Sequence, residues 1–469
     1  MTPTRSADMT LTTRSAMTWQ PDVDAFGADF AWGAATAAYQ IEGAVAEGGR
    51  GPSIWDTFAH MPGRTTRGDT GDIACDHYHR WESDLDIIRD LGLRAYRLSL
   101  SWSRLQPSGT GPLNPVAVAH YRRLLGRLKE IGVRAFVTLY HWDLPQPLED
   151  AGGWPARATA YRFADYAGLV ADELGDLAED WITINEPWCS SFLGYGTGAH
   201  APGRSDLGEA VAAAHHLNLA HGLAVANIRH RRPHVAVGVA HIVTDLVTAS
   251  EQPEDLAAAA RYDANNNRMF LDPVLRGGYP VDVYELYRAQ RLAELVRDGD
   301  EATIATPVDF LGLNHYHQLI VRHDPTVAHL QASTTPAEPA TTSLRWSVTP
   351  ESLRRVLVRV ERDYPGTPIH VTENGASFDD YVDHSGQVAD NERIGYLSGY
   401  VQAAAEAIRE GVNLQGYFVW SLLDNFAWAE GYSKRFGLVY VDYHTQTRIP
   451  KASAAWYRDL IARHARAVG

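Results

Sequence analysis

Short apolar, β-branched or aromatic runs alternate with amphipathic stretches along almost the whole chain. The runs at 30–35, 95–100, 135–139, 181–184, 235–240, 310–313, 369–372 and 416–420 read as strands. Between them, apolar residues recur at three- and four-residue spacing, as in Tyr78, Trp81, Leu85, Ile88 and Leu91, or Tyr121, Leu124, Leu128 and Ile131. That spacing predicts helices. Eight such units in alternation call for an α/β fold with a parallel sheet closed into a (β/α)8 TIM barrel. From Gln40 to Trp420 the units average about 54 residues, against roughly 31 in a plain barrel. The surplus is expected in long βα loops that turn the barrel mouth into a deep pocket. The stretch 324–343, rich in Thr, Ala, Pro and Glu, lacks periodicity and reads as a long loop after the sixth strand. No repeat or linker divides residues 22–469, which are expected to form one catalytic domain behind a disordered tail at 1–21.

Two of the predicted strands end alike, in Thr183-Ile184-Asn185-Glu186-Pro187 and Val371-Thr372-Glu373-Asn374-Gly375. Each delivers a glutamate beside an asparagine at a strand end, the face on which barrel enzymes build their sites. Two carboxylates from different strands are what glycoside hydrolysis requires: one neutral acid to protonate the leaving oxygen, one anion to attack or to guide water. The other strand ends present Gln40, Arg97, His141, Trp142, Asn314, Tyr316 and Trp420. This set is rich in amides, imidazole and aromatic rings, and suits several hydroxyl groups at once.

Composition narrows the alternatives. A net charge of −15, from 42 basic and 57 acidic residues, argues against nucleic acid or an anionic membrane as partner. No run of 18 apolar residues could span a bilayer, and the first 20 residues lack the apolar core of a secretion signal. Two cysteines, Cys75 and Cys189, are too few for a disulfide framework, so a cytoplasmic location is expected. No Gly-rich phosphate loop or dinucleotide fingerprint is present, and no cofactor is expected. Cys75-Asp76-His77-Tyr78-His79 and His215-His216 lack the spacing of a metal site, and no metal is expected either. Cys189 reads as a buried structural thiol, since nothing marks a base for it.

Taken together, these segments resemble glycoside hydrolase family 1, in particular its bacterial β-glucosidases, from about Phe26 to Ile461. Further matching segments are Phe30-Ala31-Trp32-Gly33-Ala34-Ala35-Thr36, Tyr39-Gln40-Ile41-Glu42-Gly43, His141-Trp142-Asp143-Leu144-Pro145 and Trp420-Ser421-Leu422-Leu423-Asp424-Asn425-Phe426. The resemblance implies a retaining β-glycosidase with Glu186 as general acid/base and Glu373 as nucleophile, their carboxyl groups about 5–5.5 Å apart. It further implies that Arg97 keeps Glu373 ionised, Tyr316 orients it, and Asn185 holds the sugar's 2-hydroxyl. Gln40, His141 and Trp420 would line the glycone pocket, with Trp142, Asn314 and Trp428 also in contact with substrate. Trp346 would face the leaving group. The implied partner is a small-molecule β-glycoside, and the oligomeric state, a homo-oligomer included, is left open.

One position departs from the family. Where the glycone clamp usually reads Asn-Phe-Glu-Trp, this chain has Asn425-Phe426-Ala427-Trp428. Losing that acceptor should cost a plain glucoside about 2–4 kcal/mol of transition-state binding. Glu430, two residues beyond Trp428, is expected to point elsewhere. Three readings follow: a glycone altered or substituted at O6, a 6-phosphoglucoside held by Lys434, or a weakened ordinary β-glucosidase. Phe436, where a phosphate-binding relative would place Tyr, counts against the second. A non-catalytic sugar-binding relative would be expected to have lost Glu186 or Glu373.

Overall fold

The computed structural model describes residues 20–337 and 342–469. Eight parallel strands close into a barrel: β1 (Ala31–Ala35), β2 (Ala95–Ser99), β3 (Arg134–Tyr140), β4 (Asp180–Asn185), β5 (Ala236–Ile242), β6 (Phe310–Asn314), β7 (Ile369–Asn374) and β8 (Leu414–Trp420). Each pairs with its neighbours in sequence, and β8 closes on β1 through Ala31 to Ala35 against Gly416 to Trp420. All eight predicted runs are barrel strands, with ends shifted by no more than two residues.

Hydrophobic burial divides the barrel into two layers. Outward-facing strand residues join the helices in the larger core, in which Trp32, Tyr96, Val137, Trp181 and Tyr417 are fully buried. Inside, Phe136, Ile182, Phe310 and Phe418 fill the lumen among small residues. The Phe136 ring packs edge-on to Phe418 at 4.8 Å and to Phe310 at 6.0 Å. Gly33 and Gly238 make room for these rings, since a Cβ on Gly33 would lie 2.5 Å from Phe418 and one on Gly238 2.6 Å from Phe310. The lower lumen is therefore a packed floor, and the pocket lies above it.

The excess chain length does lie in the connections. After β5 and β6, Asp245–Thr248, Gln318–His323 and Ala332–Pro336 form a separate three-stranded sheet. This corrects the expectation of a structureless loop over 324–343. Ala332–Pro336 is a strand because it pairs antiparallel with Gln318–His323, and its mostly polar side chains show no burial period. Residues 338–341 of that stretch, and the expected tail at 1–21 except Gln20 and Pro21, lie outside the described residues. Gln20 Oε1 accepts from Arg463 in the last helix, Ala452–Val468.

His77 and His215 are buried and engaged by carboxylates. His77 Nδ1 bonds Asp84 at 2.8 Å beneath Arg448, and His215 bridges Tyr279 and Asp300.

Candidate active site

Where β4 and β7 end, their register against neighbouring strands slips. The shift in β4 falls between Ile182 and Asn185, and that in β7 between Val371 and Glu373. Such irregularities re-aim side chains at sheet ends. Here they accompany two buried carboxylates that line one pocket of about 350 Å³: Glu186, 4% exposed, and Glu373, 3% exposed. Backbone strain collects at the same place. Trp142, Glu186 and Trp428 all take positive φ, at 78°, 46° and 54°, conformations costly for side chains of this size.

A chain of hydrogen bonds ties the two carboxylates together beneath the pocket. Arg97 Nη1 donates to Glu373 Oε1 at 2.5 Å, and Arg97 Nη2 to Asn185 Oδ1 at 2.7 Å. Asn314 Nδ2 donates both to Asn185 Oδ1 at 3.0 Å and to Glu186 Oε1 at 2.7 Å. The Tyr316 hydroxyl donates to Glu373 Oε2 at 2.5 Å. Arg97, Asn185 and Asn314 are thus almost fully buried supports, bonded to the carboxylates, to each other and to Thr138, Thr372 and His141.

Electrostatics set the pair apart. Burial, then the neighbouring Glu373 charge, pushes the Glu186 pKa up to about 8. Burial also raises Glu373, but Arg97 and the Tyr316 hydroxyl pull against it. The fixed cation and the Tyr316 hydroxyl favour the anion on Glu373, while burial and its neighbour's charge favour the proton on Glu186.

Above this layer, Gln40, His141, Trp142, Tyr316, Trp346, Trp420, Ala427 and Trp428 line the pocket. Gln40 Nε2 is held by Asn425 Oδ1 at 3.1 Å and Phe426 O at 2.8 Å, which leaves its buried Oε1 without a partner in the chain. His141 Nε2 accepts from Asn185, so its proton sits on Nδ1, which is also unpaired. One acceptor and one donor are therefore free for a polar ligand, with indole faces beside them. The His141 ring stacks near Trp420 at 5.8 Å and Trp428 at 6.0 Å. Trp346 stacks on His317 at 4.7 Å at the pocket edge.

Several wall residues were not foreseen: Cys189, Leu193, His200, Ile242, Leu344, Glu430 and Phe436. Glu430 corrects an expectation directly. A tight turn at Trp428–Glu430, in which Ala427 N donates to Gly431 O at 2.7 Å, brings it back to the wall it was expected to leave. Its carboxylate has no ion-pair or hydrogen-bond partner among the described residues. Lys434 instead donates to Ser343 O at 2.9 Å and is absent from the pocket wall. No sequence spacing signals His200 or Cys189; both arrive on the segment after β4, where Cys189–Gly196 winds as a π-helix.

A closed eight-stranded barrel with two buried, hydrogen-bonded glutamates at its carboxyl end defines a glycoside hydrolase type of site. The profile of glycosyl hydrolase family 1 matches residues 22–466, and the chain belongs to that family. Beta-glucosidase A of Thermotoga maritima is 45% identical over 441 residues, covering 94% of this chain and 98% of its own length. The bifunctional beta-D-glucosidase/beta-D-fucosidase of Bifidobacterium breve is 46% identical, with the same coverage of 94% and 98%. The crystal structure of a psychrophilic β-glucosidase from Micrococcus antarcticus superposes with a TM-score of 0.92 at 44% identity, covering 95% of this chain and 99% of that one.

Proposed function

We propose that the protein is a retaining β-glycosidase acting on terminal β-D-glucosides, with Glu373 as nucleophile and Glu186 as general acid/base. The observation that carries this reading is the division of labour between two tethered carboxylates. Glu373 is held by a cation and a hydroxyl, and Glu186 is kept protonated by burial and by its neighbour's charge. Glu373 attacks the anomeric carbon while Glu186 protonates the departing oxygen. The glycosyl ester that forms cancels the charge on Glu373. The Glu186 pKa then falls, and it acts as base toward the water that releases the sugar. Gln40 and His141 supply the free acceptor and donor for glycone hydroxyls, and Trp420 an apolar face. The family resemblance assigns the sugar's 2-hydroxyl to Asn185, whose Nδ2 donates to His141 of the pocket wall at 3.0 Å.

The glycone we assign is a β-glucoside substituted at O6, or a sugar that lacks the 6-hydroxyl. Ala427 leaves room in the wall where the family's clamp places a carboxylate, and Glu430, Leu344 and Phe436 border the same pocket. A neutral hydroxylated substituent, such as a second sugar, fits this mixed boundary. A phosphate does not, since Lys434 is engaged by Ser343 and absent from the wall, where Glu430 stands instead. The relative from Bifidobacterium breve is named for both glucosidase and fucosidase activity, and a fucoside lacks the 6-hydroxyl.

Among the described residues no helix is long and apolar enough to cross a membrane. We place the enzyme in the cytoplasm, with a small-molecule glycoside as its partner.

The test is a panel of aryl β-glycosides: glucoside, 6-phosphoglucoside, 6-O-glycosylglucoside, fucoside, xyloside and galactoside. The β-anomer should appear first by NMR, and 6-O-glycosylglucoside turnover should equal or exceed that of glucoside. First appearance of the α-anomer would refute retention, and a preference for the 6-phosphate would overturn the glycone assignment.

A further inference from the structure

A thiol outside the reacting pair touches one of its members. Cys189 stands three residues after Glu186, and its Sγ donates to Glu186 Oε2 at 3.2 Å. The other oxygen, Oε1, is the one that accepts from Asn314 at 2.7 Å. Backbone bonds fix the spacing, with Cys189 N donating to Glu186 O at 3.0 Å. Cys189 is 5% exposed and lies in the wall of the catalytic pocket.

We propose that Cys189 is a positioning residue for the acid/base: its S–H holds Glu186 Oε2, fixes the plane of the carboxyl group and supports its ionised form. This rests on Glu186 being the acid/base. Asn314 alone would leave the carboxyl free to turn about its Cγ–Cδ bond, and a second contact on the opposite oxygen prevents that. An ionised carboxylate offers about four lone-pair sites, so each oxygen keeps one free for the substrate or water. A thiol is a weak donor. It therefore favours the anion less than an alcohol would, which suits a group that must hold a proton in one step and release it in the next. Burial and the adjacent carboxylate push the thiol's own pKa well up, so the sulfur stays protonated and is not a nucleophile.

The other groups facing Glu186 come from all sides. Glu373 lies across the pocket, Arg97 beneath it on β2, His141 past β3, His200 after β4 and Tyr316 past β6. His241 of β5 faces outward against Phe270. Burial, and for His141 also Arg97, holds His141 well below the ordinary histidine range, and burial holds His200 at about 4. Both are neutral through the pH range in which Glu186 titrates, so a change at Cys189 is read without interference from them.

The experiment is the pH profile of kcat/KM for Cys189→Ala and Cys189→Ser, on β-glucosides with good and poor leaving groups. Removing the donor should move the basic limb upward by about half a unit, and the stronger hydroxyl donor should move it downward. The Ala variant should lose up to about tenfold on the poor leaving group, which needs the acid, and less than about twofold on dinitrophenyl glucoside. Limbs that stay put or move the same way in both variants overturn the proposal, as does equal loss on both substrates. Near-UV circular dichroism checks folding, and Cys189→Thr replaces Ser with another hydroxyl donor if that variant fails to fold. Glu186→Ala with added azide separates the two readings. If azide restores turnover of dinitrophenyl glucoside there but the Cys189 limbs do not move, only the thiol's role falls. If azide restores nothing, the acid/base assignment falls with it.

Discussion

The Tyr316 hydroxyl donates to Glu373 Oε2 at 2.5 Å, on the oxygen opposite the one that Arg97 holds. Each oxygen of Glu373 thus has its own donor, and the plane of the carboxylate is fixed. Tyr316→Phe removes a donor that favours the anion, so the Glu373 pKa should rise. The acidic limb of the kcat/KM profile should move to higher pH, and kcat should fall by about 10–100-fold. A pH profile that keeps its acidic limb would place the role of Tyr316 elsewhere.

Replacement of Glu373 by Gly should abolish hydrolysis, with a loss of at least about 10⁴-fold. The vacated space should still accept α-glucosyl fluoride, which resembles the glycosyl-enzyme in its anomeric configuration. Chromatography should then detect transfer to an added sugar acceptor. Absence of both hydrolysis and transfer in a folded Glu373→Gly protein would count against the nucleophile assignment.

Glu186 should cost the protein stability. Its folded pKa of about 8 lies above its ordinary value, so the folded state binds the extra proton between those limits and stability falls as pH rises through them. The cost is absent below the ordinary carboxyl pKa and complete above pH 8. Glu186→Gln removes the ionisation and keeps an oxygen for Asn314. At pH 8 this variant should melt at least roughly 2 °C higher than the parent, and at pH 4 the difference should shrink. A melting difference independent of pH would contradict the raised pKa.

Ala427→Glu restores a carboxylate beside the O6 end of the pocket. Activity on unsubstituted β-glucosides should rise by about tenfold or more, and activity on 6-O-glycosylglucosides should drop. Steady-state kinetics on both substrates settles it, and an unchanged ratio would remove Ala427 from any account of specificity.

Much of this was legible in the chain because it rests on local pattern. The eight apolar runs match the barrel strands since each is buried on both faces, so its composition records its position. Glu186 and Glu373 could be found because a strand end in such a barrel opens onto the pocket. The sheet strand Ala332–Pro336 could not be found, because its pairing partner and not its own residues makes it a strand. Glu430 was misplaced for a related reason: a turn closed by Ala427 N on Gly431 O reverses the direction that residue counting implies.

The sequence by itself determined the barrel and the family, and singled out Glu186 and Glu373, all of which depend on residue type and order. Only the tertiary structure decided what those carboxylates touch. The bonds linking Glu373, Arg97, Asn185, Asn314 and Glu186, and the thiol of Cys189 on Glu186, join groups from four strands and a following segment. Hydrogen bonds and pKa shifts depend on separations of ångströms and on burial. Those are set by closure of the barrel and by the slipped registers of β4 and β7, which no single stretch of sequence encodes.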